Sequence, residues 1–418
     1  MRRPNSFFLK TAFLLGIVLG GCRTAPPSLQ VLAEQGGGSL YACGSQQLLM
    51  VRGTPFEMGF QHGRLLAADV RAVVEDVLQW TESRGLTREH LRAIHASLEP
   101  HVPNRYSAEL AGLAAGSGVP LEDLELLHAL PSRFHCSGAA VAGSMTRDGK
   151  LYHSRSLDYF LDMGITDRIQ NHALLIVRVP ADGIPSAVPA WAGFLGAVTG
   201  MNLSGISIGE KGSSSRDESY DGMPMIFTVR EALRRGSTLE QTVEIFRAGP
   251  RTCGFNYIVG SGDEGEAVAL EVTRSHFAVF GFGDPAEDVA PHTALPDAVR
   301  RSNHFVDPTL AGTQREEEPL DNSSGSWQKY AGITDYLLAN RGKLDAESMV
   351  AMLRLYPADH SCLHQAVMCS TDRVIWISQA VDDRLSATPG AQNQTFYGYD
   401  LRALIDGGGT AVRGVLTR

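Results

Sequence analysis

Apolar positions divide the chain into two regimes. Between residues 54 and 130 they recur at helical spacing, with Leu65, Leu66, Val70, Val73, Val74, Val77 and Leu78 near a 3.6-residue period. Thr54-Pro55-Phe56-Glu57 supplies the start: an N-cap threonine, proline in the first turn and glutamate three residues after the cap. His62 reads as a satisfied residue of that helix. Shorter helices are predicted over 87–98, 104–114 and 121–130, so residues 39–135 read as a mainly helical segment. From residue 136 the pattern changes to short runs between turn residues. Strands are predicted over 137–145, 150–157, 172–179, 193–199 and 204–210. Helices follow at 226–235 and from the Ser237-x-x-Glu240 box to Gly249-Pro250. Strands return at 255–261, 266–273 and 276–281. An exposed loop over 311–326, helices at 326–340 and 345–353, and strands at 363–370 and 373–379 complete the reading. This order fits a layered α+β domain. No internal repeat, phosphate loop or strand-turn-helix nucleophile elbow is predicted.

Composition adds a compartment. Residues 1–22 have a positive start at Arg2, Arg3 and Lys10, an apolar run from Thr11 to Leu19, then Gly20-Gly21-Cys22. The run is too short to span a bilayer. The segment resembles a bacterial lipoprotein signal, cleaved before Cys22 and lipidated on its thiol; an ordinary secretory signal is the alternative. Residues 23–38, with Ala25-Pro26-Pro27 and Gly36-Gly37-Gly38, read as a flexible tether. The expected location is the bacterial envelope, lipid-anchored outside the cytoplasm, and at the outer membrane if the host is Gram-negative. A net charge of −9 argues against a nucleic-acid partner. Of the six cysteines, Cys43, Cys253, Cys362 and Cys369 have no assigned role, and the sequence leaves their pairing open.

The densest chemistry lies at 136–158. Asp148-Gly149 is a hairpin turn signal. Cys136 should therefore open one strand, with Arg155 and Asp158 toward the end of the next. Folding the hairpin brings a thiol, a guanidinium and a carboxylate together. A nearby cation lowers a thiol pKa, and the thiolate is the nucleophile. The same residues also fit a buried core cysteine beside a surface Arg-Asp pair.

Cys136-Ser137, a Thr-x-Asp-Gly turn and Arg155-Ser156-Leu157-Asp158 resemble the cysteine N-terminal-nucleophile hydrolases. The nearer likeness is to the acyl-CoA:6-aminopenicillanic acid acyltransferase group, with penicillin V acylases and bile salt hydrolases more distant. The resemblance extends from about Val51 to about Ser378 and includes Gly53-Thr54-Pro55-Phe56-Glu57-Met58-Gly59. It implies a four-layer αββα sandwich over 39–418, and Cys136 as the first residue of a catalytic segment, 136–418. That N-terminus would be freed by self-cleavage of the His135–Cys136 bond, the two pieces staying associated.

The resemblance also assigns roles. Arg155 would stabilise the thiolate, and Asp158 would position Arg155 or the freed amine. Asn202, in a Gly-x-Asn-x-x-Gly turn, and Asn256, at a strand start, would supply oxyanion or substrate hydrogen bonds. From the residues alone, either asparagine also fits a turn or strand cap. Relatives often carry an arginine after a Ser-Ser pair where this chain has Trp327, Gln328 and Lys329. The expected substrate is a small N-acyl amide, with no cofactor and no metal. Asp359-His360-Ser361-Cys362-x-His364 matches no standard zinc spacing. A papain-like protease would need a helix N-terminus at its cysteine. A non-catalytic envelope lipoprotein using the fold as a binding scaffold is the alternative function.

Overall fold

The computed structural model describes residues 27–130, 135–315, 325–356, 362–407 and 411–417, and of His135 the backbone alone. The signal segment, Cys22, most of the 311–326 loop and Asp359-His360-Ser361 lie outside the described residues.

The chain opens with three strands, β1 Gln30–Gln35, β2 Gly38–Cys43 and β3 Gln46–Gly53. The expected tether therefore ends before Gln30, and the segment before Cys136 is not purely helical. Its glycines make the β1–β2 hairpin turn, where Gly36 and Gly37 take φ of 55° and 92°. Helices α1 Pro55–Leu65, α2 Ala67–Ser83, α3 Arg88–Leu98, α4 Asn104–Ser117 and α5 Leu121–His128 follow. Thr54 and Glu57 form the capping box of α1 as the sequence predicts. Helices α1 and α4 pack through glycines: a Cβ on Gly59 would lie 1.9 Å from the Glu109 carbonyl oxygen, and one on Gly112 2.1 Å from that of Phe56.

Next come β4 His135–Gly143, β5 Gly149–Asp158, β6 Ala173–Pro180, β7 Ser186–Trp191, β8 Thr199–Asn202 and β9 Ile206–Gly212. Of the strand expected over 193–199, residues 193–198 are instead loop between β7 and β8, and Thr199 opens β8. The β4–β5 turn is also longer than two residues, because Gly143 pairs with Gly149 and leaves 144–148 to connect them. Helices α6 Met225–Arg235 and α7 Leu239–Ala248 pack on this sheet. The cap of α7 is Thr238, one residue past the expected Ser237, and it accepts from the Gln241 N–H. Then follow β10 Phe255–Ser261, β11 Glu266–Val272, β12 Phe277–Phe280 and β13 Ala298–Arg301. After α8 Pro308–Ala311, α9 Gly325–Ala339 and α10 Ala346–Leu355 come β14 Cys362–Cys369 and β15 Val374–Gln379. The chain does not stop there, as expected, but adds β16 Phe396–Asp400, α11 Leu401–Asp406 and β17 Val412–Leu416.

The described strands form two sheets. One runs β1-β2-β3-β6-β7-β8-β9-β10-β11-β12, and the other β13-β4-β5-β14-β15-β16-β17. All pairings are antiparallel except β3 with β6. Side-chain alternation explains the layers. Leu48 and Met50 enter a core with Ala366, Met368 and Ile375 of the facing sheet. Their neighbours Leu49 and Val51 join Met58, Val70 and Leu110 of the helices outside. On the far side, Val141, Tyr152 and Val367 pack against Ile333 and Leu337 of α9 and Met349 of α10. The architecture is the α+β, four-layer αββα sandwich. Near-continuous apolar strands follow from burial on both faces. No described helix is long and apolar enough to cross a membrane.

Candidate active site

Cys136 sits at the start of β4, opposite Leu157 of β5. Arg155 is opposite Gly138, so Cys136 and Arg155 are diagonal neighbours on one face of the hairpin. Arg155 Nη2 lies 3.1 Å from Cys136 Sγ, both residues being fully buried. The guanidinium is held from several sides. Its Nε donates to the Glu210 carbonyl at 3.1 Å, and Nη2 is 3.3 Å from Glu210 Oε2. Its Nη1 is 3.1 Å from His364 Nε2. A guanidinium only donates, so that nitrogen accepts and the His364 proton is on Nδ1. Burial and the Arg155 charge hold His364 well below the usual imidazole range, so it is neutral. Gly209 makes room here, since a Cβ would stand 3.0 Å from Arg155 Cγ.

The backbone N–H of Cys136 donates to Asn303 Oδ1 at 2.8 Å. Asn303 Nδ2 donates in turn to the Gly212 carbonyl at 2.6 Å, tying the start of β4 to the end of β9. Asn303 follows β13, and a buried ion cluster fixes that segment. Arg301 Nε meets Glu271 Oε1 at 2.7 Å, its Nη1 meets Glu287, and Glu271 also accepts from the Val306 and Asp307 N–H groups. Asn256 lies beside this segment. Its Nδ2 donates to the Ser302 and His304 carbonyls at 3.1 and 2.7 Å, and its buried Oδ1 has no hydrogen-bond partner among the described residues.

Two expected residues are placed differently. Strand alternation turns Ser156 and Asp158 to the face opposite Arg155. There Asp158 accepts from Ser156 Oγ and from Lys329 Nζ, each at 2.6 Å, rather than from Arg155. Its backbone pairs with His135, so it flanks the His135–Cys136 bond. Asn202 faces the outer helices. Its Nδ2 donates to the Leu233 and Gly236 carbonyls at the end of α6, both at 2.8 Å, and its Oδ1 accepts from Ile206 at 3.0 Å. Every hydrogen-bonding direction of that amide is occupied by backbone. By contrast, Met201, one residue earlier, points between the sheets.

Sequence reading missed Asn303, Glu210, Lys211 and Lys329 as site residues. Lys329 had a signal, being a cation in the stretch where relatives carry arginine. Glu210-Lys211 had a weaker one, two adjacent charges inside an apolar strand. Both are fully buried. Burial pushes the Glu210 carboxyl up, against the pull of Arg155. Burial and the Arg155 charge bring the Lys211 amine down to about 7. Its Nζ donates to the Gly209 carbonyl at 3.1 Å. Burial also pushes the Cys136 thiol up to about 12, with Arg155 opposing. In this state the thiol is protonated and sealed from solvent. The site can hold a thiolate only when the proton has somewhere to go.

Residues 168–380, just over half the chain, match the acyl-coenzyme A:6-aminopenicillanic acid acyl-transferase family. The protein dcd1B of Dictyostelium discoideum is 27% identical over 391 residues, covering 84% of this chain and 72% of that one. An uncharacterized protein of Archaeoglobus fulgidus is 25% identical over 345 residues, covering 72% and 56%. Among solved structures, the Caenorhabditis elegans N-acylethanolamine-hydrolyzing acid amidase ortholog aligns with a TM-score of 0.42 at 18% identity, over 56% of this chain and 93% of that one. Penicillin V acylase from Agrobacterium tumefaciens aligns at 0.38 and 13%, over 63% and 91%. By the match over 168–380, the chain belongs to the acyl-coenzyme A:6-aminopenicillanic acid acyl-transferase family.

Proposed function

We propose that this protein is a self-processing cysteine N-terminal-nucleophile enzyme that breaks or transfers an acyl group at an amide C–N bond. The observation that carries the reading is the Arg155 guanidinium 3.1 Å from the Cys136 sulfur at the start of a strand. Family membership supports acyl chemistry.

In the first step the Cys136 thiol loses its proton to a neighbouring base, and its sulfur attacks the His135 carbonyl carbon. The C–N bond breaks, Cys136 N takes a proton, and a thioester joins His135 to Sγ. Water then releases the His135 carboxylate and regenerates the thiol. The new α-amine, with an ordinary pKa of about 8, is suited to general-base work near neutrality. It sits beside Asn303, which already accepts from the same nitrogen. In turnover this amine takes the thiol proton and the sulfur attacks the substrate carbonyl. The amine product leaves with a proton, and water or an acceptor amine resolves the acyl-thioester. Arg155 stabilises the thiolate. A preorganised donor for the oxyanion would be worth about 3 kcal/mol. Asn256 lies beside the Asn303 segment, but both its N–H bonds are spent on the Ser302 and His304 carbonyls, so it holds that segment in place rather than donating to the oxyanion. The substrate class is a small N-acyl amide.

We further propose lipidation at Cys22, with the enzyme held at the envelope outside the cytoplasm. Globomycin should then make the unprocessed precursor accumulate.

The central test is Cys136→Ala. Wild-type protein should give two associated pieces on a denaturing gel, the larger beginning Cys-Ser-Gly-Ala, and should turn over members of an N-acyl amide panel. The variant should remain one chain and be inactive. Turnover by Cys136→Ala would end the reading.

A further inference from the structure

A second charged cluster lies under the helices on the outer face of the ten-stranded sheet. Glu109 of α4, Arg178 of β6 and Arg230 of α6 are 2%, 2% and 6% exposed. Arg230 Nη2 donates to Glu109 Oε2 at 3.0 Å, and Arg178 Nε lies 3.5 Å from Glu109 Oε1. Two buried guanidiniums thus share one carboxylate. The other acids nearby are committed elsewhere. Glu231 meets Arg105 at 2.8 Å, the Tyr106 hydroxyl at 2.7 Å and Arg235 at 3.7 Å, while Asp182 meets Arg234 at 2.5 Å. Five arginines therefore face three carboxylates.

Carbonyls absorb part of the excess. The Leu195 carbonyl accepts from Arg230 Nη1, and the Phe194 and Leu195 carbonyls lie 3.4 Å from Arg178 Nη2. Arg178 Nη1 has no hydrogen-bond partner among the described residues. Arg178 lines a cleft of about 370 Å³, counting its open mouth. Arg105, Arg230 and Arg234 share the polar wall with the two paired carboxylates Glu109 and Asp182, and Met58 and Ile184 line the apolar one.

We propose that this cleft is a binding site for a small monovalent anion, a halide or the carboxylate of a short acid, held by Arg178 with Arg230 behind it. The physical reason is charge balance. An uncompensated buried charge is strongly destabilising, and a guanidinium cannot shed its proton to escape. Burial and the Arg230 charge bring Arg178 down only to about 9, so it stays charged at neutral pH. The site also sits on a seam: Glu109 precedes Cys136, whereas Arg178 and Arg230 follow it. A bound anion would tie the N-terminal segment to the catalytic one, whether or not the chain is cut. The inference does not rest on the proposed activity.

The test uses wild-type protein. Melting is followed at constant ionic strength as sodium gluconate is replaced by chloride, bromide or acetate, and crystals grown in bromide are searched for an anomalous peak against Arg178. A specific anion at ten times its Kd should raise Tm by about 2 °C. Arg178→Met should abolish the difference between salts. A response to halides alone assigns an ion site, and one to acetate as well a carboxylate site. Superimposable melting curves with no bromide peak would overturn the proposal, and the diffraction result stands even if Arg178→Met fails to fold.

Discussion

Lys329 donates to Asp158 Oδ2 at 2.6 Å, across 171 residues of sequence. The Asp158 side chain is fully buried and that of Lys329 12% exposed, and the pair fastens α9 to the end of the β4–β5 hairpin. Removing one partner leaves a buried charge unpaired, at a cost of roughly 3 kcal/mol. Lys329→Met should therefore lower stability by about that amount and reduce turnover at least tenfold. In the double variant Asp158→Asn/Lys329→Met, denaturant unfolding should recover most of the stability, while activity stays low. Full activity in Lys329→Met would remove the pair from the site.

Asn303 accepts from the Cys136 nitrogen, the atom that the proposed self-cleavage would turn into the free amine. Asn303→Ala should slow both self-cleavage and turnover by about 100-fold, with unfolding free energy changed by roughly 1 kcal/mol for the lost hydrogen bonds. Asn303→Asp keeps an acceptor for Cys136 N and should retain more activity than alanine. Rates from time-resolved gels and from substrate assays check the two steps separately.

The hairpin residues were legible because their relationship is local. Cys136, Arg155 and Asp158 lie within one turn-connected pair of strands, where a period of two and a turn signal fix who is near whom. Even there, the period decides sides: Arg155 shares the Cys136 face and Asp158 does not. Asn303 reaches the Cys136 nitrogen, and Glu210 and Lys211 come in beside Arg155, from strands and loops brought together by sheet stacking, a relationship without any short-range pattern. The β1–β3 strands went unseen because the glycines at 36–38 suit a tether as well as a hairpin turn. The αββα layering came from resemblance; apolar runs buried on both faces carry no alternation that would reveal it.

Asn202 and Asn256 should separate cleanly by mutation. The Asn202 amide is fully spent on the end of α6 and the β8–β9 turn. Asn202→Ala should cost roughly 2 kcal/mol of stability through unsatisfied buried carbonyls, with kcat within about threefold of wild type. Asn256→Ala should lower kcat by about 100-fold by releasing the Ser302 and His304 carbonyls and so displacing Asn303 between them. A large kcat loss in a well-folded Asn202→Ala would reverse these assignments.

Acid should destabilise the fold early. Burial holds His62 and His304 down to about 3, against an unfolded value of 6.5. The unfolded chain takes up these protons first, so the stability contributed by the neutral imidazoles is complete above pH 6.5. It is lost as pH falls from 6.5 toward 3, where the folded state also protonates. Urea midpoints should fall steadily across that window. His62 Nε2 accepts from the Gly193 N–H, so His62→Gln, which keeps an acceptor without a titrating ring, should flatten part of the slope.

Self-cleavage needs a base that exists before the α-amine does. Lys211 fits that requirement. It is fully buried, its Nζ donates to the carbonyl of Gly209, which packs against Arg155, and burial with the Arg155 charge brings it down to about 7. A neutral amine there can take the thiol proton and return it to the departing Cys136 nitrogen, which balances the step. In wild type, the cleavage rate should rise with pH through about 7 and then level. Lys211→Met should slow cleavage by about 100-fold and erase that rise. Lys211→Arg should also fail, because arginine remains protonated. The two pieces co-expressed with Cys136 already N-terminal should restore turnover in Lys211→Met to within a few-fold, since the freed amine then supplies the base. If the pre-cut variant is equally dead but folded, Lys211 serves turnover as well. If wild type is never cut, the processing itself is refuted, and Lys211 is left as a buried ammonium set against Glu210.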